Sequence, residues 1–448
     1  MNRCRAGARD LRCKVAGIAL AWFASLGATW HVSPDPVNPV NRIGPIVEQT
    51  SPGDTILAAP GTYFEHIHLP SYPLVFIGSG GAELTILDGS IPIEGREGSI
   101  LYTREWEACG LTVRGFTFRH GAGMLGESQT VKGGAIAFQS DVDCTSGVVI
   151  SDCIFEENST IRPALEGWGG ALHLRWASSQ IANCTFRSNL AYYGGHIDIT
   201  GGSTTLSDCT LLVPNVGPQL SGAFLWVDGG GVLKIERCSM VSQAAAVSGQ
   251  VSGLYLMASE MELNDNLFQD EGAAVLRQSV LASAPTCCPF TVVKMNGNVL
   301  CGPELPASEY VLISLANGRI ALNGNTLVNT RMSISNISGE ANEVMNNLLY
   351  DSKVSVLSGP GGRVSCNDVW PSGDDLHLGC CGLVTENNMN ADPKFCGLAS
   401  GDYRLSSESE CAEENAPAGC GQIGARGVGC EQTPVERTSW GRLKALYR

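Results

Sequence analysis

Short apolar runs separated by glycine-rich and polar turns recur along most of the chain. The clearest copies are a Cys-x-Phe-x-x-Asn motif at 153–158 and again at 184–189, each followed by a Gly-Gly pair that opens an apolar strand. Sequence repeats with a period of roughly 20–50 residues are typical of solenoids, propellers and arrays. The pattern therefore predicts stacked β units of one architecture, and not several unrelated globular domains.

A pair of residues separated by one position marks each repeat. Residues two apart on a strand point to the same face, so both members of a pair are predicted to face inward. The pairs are Phe116/Phe118, Cys153/Phe155, Cys184/Phe186, Cys209/Leu211, Cys238/Met240, Asn266/Phe268, Asn298/Leu300, Asn325/Leu327, Asn347/Leu349 and Asn367/Val369. The second column is large and apolar. The first changes from Cys to Asn along the chain, which predicts a ladder of small polar side chains at an interior turn.

Stacking explains why such units repeat. A single coil cannot bury its hydrophobic face, whereas coils stacked about 4.8 Å apart bury a continuous core. We therefore predict an all-β fold, a single-stranded right-handed parallel β-helix (a solenoid) of about a dozen coils, roughly 55–60 Å long. The predicted segments are a linker or N-terminal cap at 29–50, the β-helix at 51–370 and a cysteine-rich closing segment at 371–430.

Motifs at the two ends of this region resemble those of a known group. Ser51–Ile67 carries a Pro-Gly-Asp-Thr-Ile pattern followed by Pro-Gly-Thr-Tyr, and Asp392–Phe395, Gly401–Leu405 and Ile423–Ala425 read Asp-Pro-x-Phe, Gly-Asp-Tyr-x-Leu and Ile-Gly-Ala. They resemble the opening and closing segments of secreted bacterial β-helix proteins of the broad pectin-lyase-like group. The resemblance implies the fold together with an N-terminal capping helix, for which Pro45–Gln49 leaves about one turn.

The two ends of the chain and its net charge indicate where the protein is located and which partners it can bind. Residues 1–14 are basic and residues 15–28 are apolar and end in small residues, a pattern typical of a secretory signal peptide at 1–28. No later segment has the pattern of a transmembrane helix, so we expect a secreted or surface-displayed, alternatively periplasmic, monomer. The net charge of −15 opposes nucleic-acid binding. The basic tail at 431–448 is interpreted as a cover for the last coil or as a sorting signal.

The cysteines fall into two groups. Those of the landmark column lack the Cys-x-x-Cys spacing of zinc sites and are interpreted as core thiols. Seven others crowd the C-terminal region: Cys366, Cys380, Cys381, Cys396, Cys411, Cys420 and Cys430. In a secreted protein they predict a disulfide framework of unassigned connectivity, and their odd number leaves one thiol free or paired elsewhere.

Two successive Gly-Gly strands carry polar side chains where the neighbouring coils carry Ala, Gln or Leu. With Ile136, Leu172, Ile197 and Phe224 placed inward, strict alternation directs a polar set outward on adjacent coils. That set is His173, Arg175, His196 and Asp198. We expect His173 and Asp198 to be direct neighbours. Three aromatic residues just before these strands are candidate sugar-binding residues: Trp168, Tyr192 and Tyr193.

The favoured interpretation is binding of a polysaccharide or cell-surface glycan along one face of the solenoid. One alternative is a polysaccharide lyase acting on uronate polymers, with His173 or His196 as base and Arg175 beside the substrate carboxylate. A glycoside hydrolase fits less well, because it normally needs two opposed carboxylates and only Asp198 lies in the set. The other alternative is a non-catalytic, adhesin-like rod in which these charges form a surface ion pair.

No metal site is predicted from the spacing of histidines, cysteines and acids. The turn at Asn264–Asn266 offers oxygen atoms of the kind that Ca²⁺ prefers. The sequence defines no complete ligand cage around it, so Ca²⁺ is the one cofactor left open.

Overall fold

The structure is a computed structural model that describes residues 27–92, 98–103, 109–126, 129–140, 147–213, 224–229, 231–242, 252–270, 278–283, 291–302, 313–316, 318–335, 341–357, 361–373, 376–379 and 383–430. The basic tail and almost all of the predicted signal peptide lie outside the described residues, as do Cys380 and Cys381. No helix within these ranges is long and apolar enough to cross a bilayer.

Three long parallel sheets, termed A, B and C, form the body of the molecule. Each turn of the chain contributes a strand to A, then to B, then to C, and each strand pairs in parallel with the equivalent strand of the next turn. The right-handed parallel β-helix predicted from the repeats is therefore confirmed. Sheets B and C each contain twelve described strands, which at the usual spacing gives a rod about 53 Å long.

Sheets A and B form two of the three sides of the rod. Sheet A comprises Thr29–Val32, Thr55–Ala58, Leu74–Gly78, Leu111–Arg114, Val148–Ser151, Ser179–Ala182, Thr204–Ser207, Val232–Glu236, Glu260–Asn264, Thr291–Asn296, Gly318–Asn323, Glu343–Met345, Arg363–Ser365 and Val384–Glu386. Sheet B comprises Gly61–Phe64, Thr85–Asp88, Thr117–Arg119, Ile154–Glu156, Thr185–Arg187, Thr210–Val213, Ser239–Ser242, Leu267–Asp270, Val299–Cys301, Thr326–Val328, Leu348–Tyr350 and Asp368–Trp370.

Sheet C forms the third side. It comprises Ile67–His68, Leu101–Tyr102, Ile136–Gln139, Leu172–Arg175, Ile197–Thr200, Leu225–Asp228, Ser252–Met257, Gln278–Ser283, Ile313–Ala316, Arg331–Ser335, Lys353–Leu357 and Leu376–Gly379. Two small sheets lie outside the rod. One is formed by Met124–Leu125, Thr130–Lys132 and Glu166–Trp168, and the other by Phe395–Gly397, Asp402–Ser406 and Val428–Cys430. A 3₁₀ turn spans Leu398–Ser400.

The apolar landmark column fills the core beneath sheet B. Phe155 lies between Phe118 and Phe186, with ring centroids 5.0 and 4.8 Å apart and both interplanar angles at 7°. The rings stack at the spacing of the coils because each occupies the same inward position of successive strands. All three are fully buried, as the landmark pattern predicts.

The polar landmark column forms the predicted ladder at the turn between sheets A and B. The side-chain amide of Asn298 donates to Leu263 O (2.7 Å) and to Asn325 Oδ1 (2.9 Å). Its Oδ1 accepts from the backbone and side-chain nitrogens of Asn266, both at 3.0 Å. Each asparagine thus ties its own coil to both neighbours. In coils nearer the N-terminus, the equivalent position of the turn is occupied by Cys153, Cys184, Cys209 and Cys238. These cysteines are buried free thiols, as predicted.

The N-terminal end carries the one-turn helix expected from the sequence, at Gly44–Val47. Buried Glu65 closes its first turn by accepting a hydrogen bond from Ile43 N (2.8 Å). Ile43 and Val47 cover the first coils of the core. Sheet A already includes Thr29–Val32, paired with the Thr55–Ala58 strand, so the start of the segment 29–50, expected to be a linker or N-terminal cap, forms the first strand of this sheet.

The cysteine-rich closing segment packs along the outer face of sheet B. Outward residues of late coils, among them Val299 and Val328, are covered by Leu398 and Tyr403. Two disulfides hold this segment, Cys366–Cys420 and Cys396–Cys430. Buried Cys411 is the free thiol among the described cysteines of this group. The chain therefore closes by a segment that is covalently tied to the last coils.

Asn298→Ala should destabilise the rod by about 3 kcal/mol, because buried backbone and side-chain partners on both adjacent coils lose their bonds. Cys184→Ala is the matched control at the equivalent turn. Its thiol is a weak donor that is 3.2 Å from Ala182 O of its own coil and 3.9 Å from Ile150 O of the neighbouring coil. The loss should therefore stay near 1 kcal/mol. Urea unfolding followed by circular dichroism measures both values. Equal losses would contradict the stabilising role of the asparagine ladder.

Candidate functional site

Polar and aromatic side chains lie together on the outer face of sheet C, on four successive coils. The register aligns His173 with Asp198 and Asp198 with Trp226, while Gln139 is aligned with Arg175. These five residues are termed the sheet C patch. The alignment predicted for His173 and Asp198 is confirmed.

His173 and Asp198 form a close pair across two coils. His173 Nδ1 lies 2.6 Å from Asp198 Oδ2. Burial raises the pKa of Asp198, and the hydrogen bond from His173 opposes that rise. When the imidazole is neutral and its Nδ1–H donates to Asp198, Nε2 carries the lone pair. The carboxylate thus fixes the orientation of the ring and leaves Nε2 as the ring nitrogen without a hydrogen-bond partner among the described residues.

The pair is not a surface ion pair, contrary to the outward exposure expected from alternation. The side chains do point away from the core, yet His173 is 4% exposed and Asp198 is 0% exposed. Aromatic rings enclose this face, and one of them belongs to the small sheet that contains Glu166–Trp168. The charge of Lys132, on the neighbouring strand of that small sheet, lowers the pKa of Asp198. An enclosed pair interacts more strongly than an exposed one.

Several buried polar atoms of the sheet C patch lack a hydrogen-bond partner within the described part of the chain. They are His173 Nε2, Asp198 Oδ1, Trp226 Nε1 and both side-chain polar atoms of Gln139. Most buried polar groups in folded proteins are bonded, and each exception needs an explanation. Other unpartnered buried atoms of the described residues are scattered over the rod, whereas those of the sheet C patch share one face of four adjacent coils. A polar ligand or bound water is the ordinary way to satisfy such a group.

Four aromatic rings form a cluster beside these atoms. Trp168 stacks on Tyr193 (4.2 Å between centroids), and Trp226 stacks on Tyr255 (3.7 Å). Edge contacts of Trp226 with Trp168 and Tyr193 join the two stacks. Of the predicted sugar-binding residues, Trp168 and Tyr193 belong to this aromatic cluster, whereas Tyr192 takes no part in the ring contacts of the described residues.

Trp226 escaped prediction from the sequence because of a one-residue error in register, and Tyr255 lies on the next coil, for which the sequence analysis aligned no outward positions. The alignment placed Phe224 level with Ile197, but the structure pairs Ile197 with Leu225. Phe224 and Leu225 both face the core, so strict alternation fails at this corner. The shift turns Trp226 outward beside Asp198. A tryptophan at this position could have indicated an aromatic site from the sequence, but the assumed alternation placed its side chain inside the rod.

His196 does not lie in the sheet C patch, and its predicted outward direction is wrong. The amides of Ala171 and Leu172 both donate to His196 O, at 2.9 and 3.0 Å, a two-to-one pattern like that of a β-bulge. The imidazole points into the core, where it lies near the rings of Phe186 and Phe224. There Nδ1 faces the amide of Asn189 at 3.2 Å and Nε2 donates to Leu212 O at 3.0 Å.

The surroundings of His196 exclude a role as the base. Its ring is fully buried, and burial lowers its pKa to about 3. Both ring nitrogens are already bonded, so neither is available to a substrate. Arg175, by contrast, lies on the outer face next to Gln139 and Thr200 and is half-buried.

Oxygen atoms of the turn considered for Ca²⁺ are engaged within the rod. Asn264 Oδ1 accepts from Asn296 Nδ2 at 2.9 Å, and Asn266 Oδ1 accepts from Cys238 N at 2.8 Å. Among the described residues, no group of three or more His, Cys, Asp or Glu side chains is arranged to hold a metal.

No protein-family model and no curated protein matches the chain. Among solved structures, a rhamnogalacturonan lyase is similar, with 15% sequence identity and a TM-score of 0.35 over 93% of this chain and 99% of that chain.

Gln139→Leu should raise the free energy of unfolding by about 1–2 kcal/mol, because it removes a buried amide that has no partner among the described residues. Asn189→Leu is the matched control, since that amide bonds Asn158, Phe155 O and His196, and it should destabilise the protein. Urea unfolding in the absence of sugars provides the measurement. A loss of stability in Gln139→Leu would contradict the claim that this amide has no hydrogen-bond partner in the ligand-free protein.

Proposed function

We propose that the sheet C patch and the aromatic cluster bind an extended polysaccharide outside the cell. The observation that carries this proposal is the gathering of unpartnered polar atoms from Gln139, His173, Asp198 and Trp226 beside stacked aromatic rings. Binding sites are commonly apolar and aromatic with a few well-placed polar groups. The patch has that composition.

Sugars suit both halves of this surface. Their hydroxyl groups donate and accept hydrogen bonds, which matches the mixture of donors and acceptors left by Gln139, His173 and Asp198. Their C–H faces pack against aromatic rings, and Trp and Tyr combine a large apolar surface with a polar atom. A ligand held by such groups would satisfy buried atoms that otherwise reduce the stability of the rod.

The disulfides support an oxidising location. Cys366–Cys420 and Cys396–Cys430 join residues near the C-terminal end of the described chain, and disulfides persist mainly in extracellular and other oxidising compartments. With the basic-apolar start of the sequence, they support secretion or surface display. In that setting, glycans are abundant extended polymers.

A polysaccharide lyase is the second candidate, and the His173–Asp198 pair favours it. A carboxylate that fixes one ring nitrogen leaves the other able to accept a proton, which is how a general base is prepared. In that case His173 Nε2 would remove the proton next to a uronate carboxylate, and Arg175 would stabilise the charge that develops there. His196, the other base considered, is excluded by its place in the core.

Glycan-array binding tests the proposal with three variants. His173→Ala and Asp198→Ala should each weaken binding about tenfold, because each removes a buried polar contact with the ligand. Glu156→Ala is the matched control, since Glu156 forms an exposed pair with Arg187 on sheet B of the same coils (2.8 Å), and it should bind as the wild type does. Circular dichroism verifies that each variant is folded.

The same mixtures distinguish binding from catalysis. A rise in ultraviolet absorbance from unsaturated product with one uronate polymer, lost in His173→Ala, would favour the lyase over simple binding. Binding without product supports the proposal as stated. Equal binding by wild type, His173→Ala and Asp198→Ala, or no binding to any glycan, would overturn it, and the latter result would leave the rod-like structural role.

A further inference from the structure

Trp176 adopts a backbone conformation that a tryptophan rarely takes. It directly follows the sheet C strand Leu172–Arg175 and has φ of 57°. The residues that follow the next two strands of sheet C, Gly201 and Gly229, also have positive φ, at 73° and 60°. This corner therefore requires the left-handed region, which glycine occupies without strain and a bulky residue occupies at a cost of order 1 kcal/mol.

The strain is not offset by burial, because Trp176 is 44% exposed. Its indole nevertheless packs at a defined position. A Cβ atom added to Gly201 would come within 2.4 Å of the indole ring, so the ring lies directly against the backbone of the next coil. Trp176 N also donates to Thr200 O (2.8 Å). An aromatic ring is thus fixed at the surface, with part of it open to solvent.

The position of this ring relates it to the sheet C patch. Trp168 lies before the strand Leu172–Arg175 and Trp176 lies after it, so aromatic rings flank the strand at both ends. The strand itself spans about 10 Å. Between the two flanks lie the outward side chains His173 and Arg175. Strained positions that persist in folded proteins cluster at binding sites.

We propose that Trp176 is a second stacking subsite for the polysaccharide, which crosses sheet C from the aromatic cluster to Trp176, roughly perpendicular to the axis of the rod. The inference rests on the proposed function and makes it more specific. The ligand is a chain long enough to reach both flanks, and short oligosaccharides contact one flank only. Trp176 acts by binding and has no part in any chemical step.

Trp176→Gly tests the inference, because glycine relieves the strain while the ring is removed. Isothermal titration calorimetry is performed with the glycan selected on the array, as a polymer and as its disaccharide. The variant should bind the polymer about three- to tenfold more weakly and the disaccharide unchanged. Its thermal midpoint should equal or exceed that of the wild type. Trp30→Phe, which alters a tryptophan bonded to Asp54 at the N-terminal end, is the control and should bind both ligands normally.

The possible outcomes separate this inference from the proposed function. If Trp176→Gly binds the polymer as tightly as the wild type, or loses the disaccharide equally, the second subsite is wrong and the proposed function stands. If the wild type binds neither ligand, both are overturned. If the variant is less stable than the wild type, Trp176 has a structural role and the inference is contradicted.

Discussion

Hydrogen bonding between the same turn of successive coils is the constraint on which the rest of the structure depends. Each coil exposes backbone groups at its corners that must be satisfied inside the rod. Asn298 and its equivalents do this in the later coils by bonding both neighbouring coils at once. In the coils of the sheet C patch, Asn158 and Asn189 form the same kind of ladder at the turn between sheets B and C. The ladder also fixes the register, since a coil shifted by one residue would lose these bonds and turn its apolar side chains outward.

A fixed register is what allows the outer face of sheet C to hold a site. His173 and Asp198 come from different coils, yet they meet at 2.6 Å because equivalent positions of the rod lie side by side. The same alignment places Trp226 against Tyr255. Asparagine side chains satisfy the buried polar groups at the corners of the rod, whereas polar atoms of the sheet C patch have no partner among the described residues. The residues that stabilise the rod and the residues proposed to bind a ligand therefore lie on different faces.

The sequence predicted the fold well and the site in part. Inward landmarks such as Phe155 and Asn298 follow from period-two alternation within strands, which burial enforces. At the corners before sheet C this rule fails, because two consecutive residues face the core. For this reason the prediction placed His196 on the outer face, although it points into the core, and placed Trp226 in the core, although it points outward. The enclosure of His173 and Asp198 depends on a small sheet with strands far apart in sequence, Thr130–Lys132 and Glu166–Trp168, and local patterns do not specify such a contact.

The most direct test of the central claim is to follow the imidazole nitrogens of the protein by ¹⁵N NMR during titration with the selected glycan. His173 and His196 lie on neighbouring coils and differ in environment. Nε2 of His173 has no partner among the described residues, whereas both ring nitrogens of His196 are bonded. If the sheet C patch binds the glycan, the Nε2 resonance of His173 shifts with saturation of the ligand while both resonances of His196 stay constant. Saturating binding with no change at His173 would contradict the claim that this patch is the binding site.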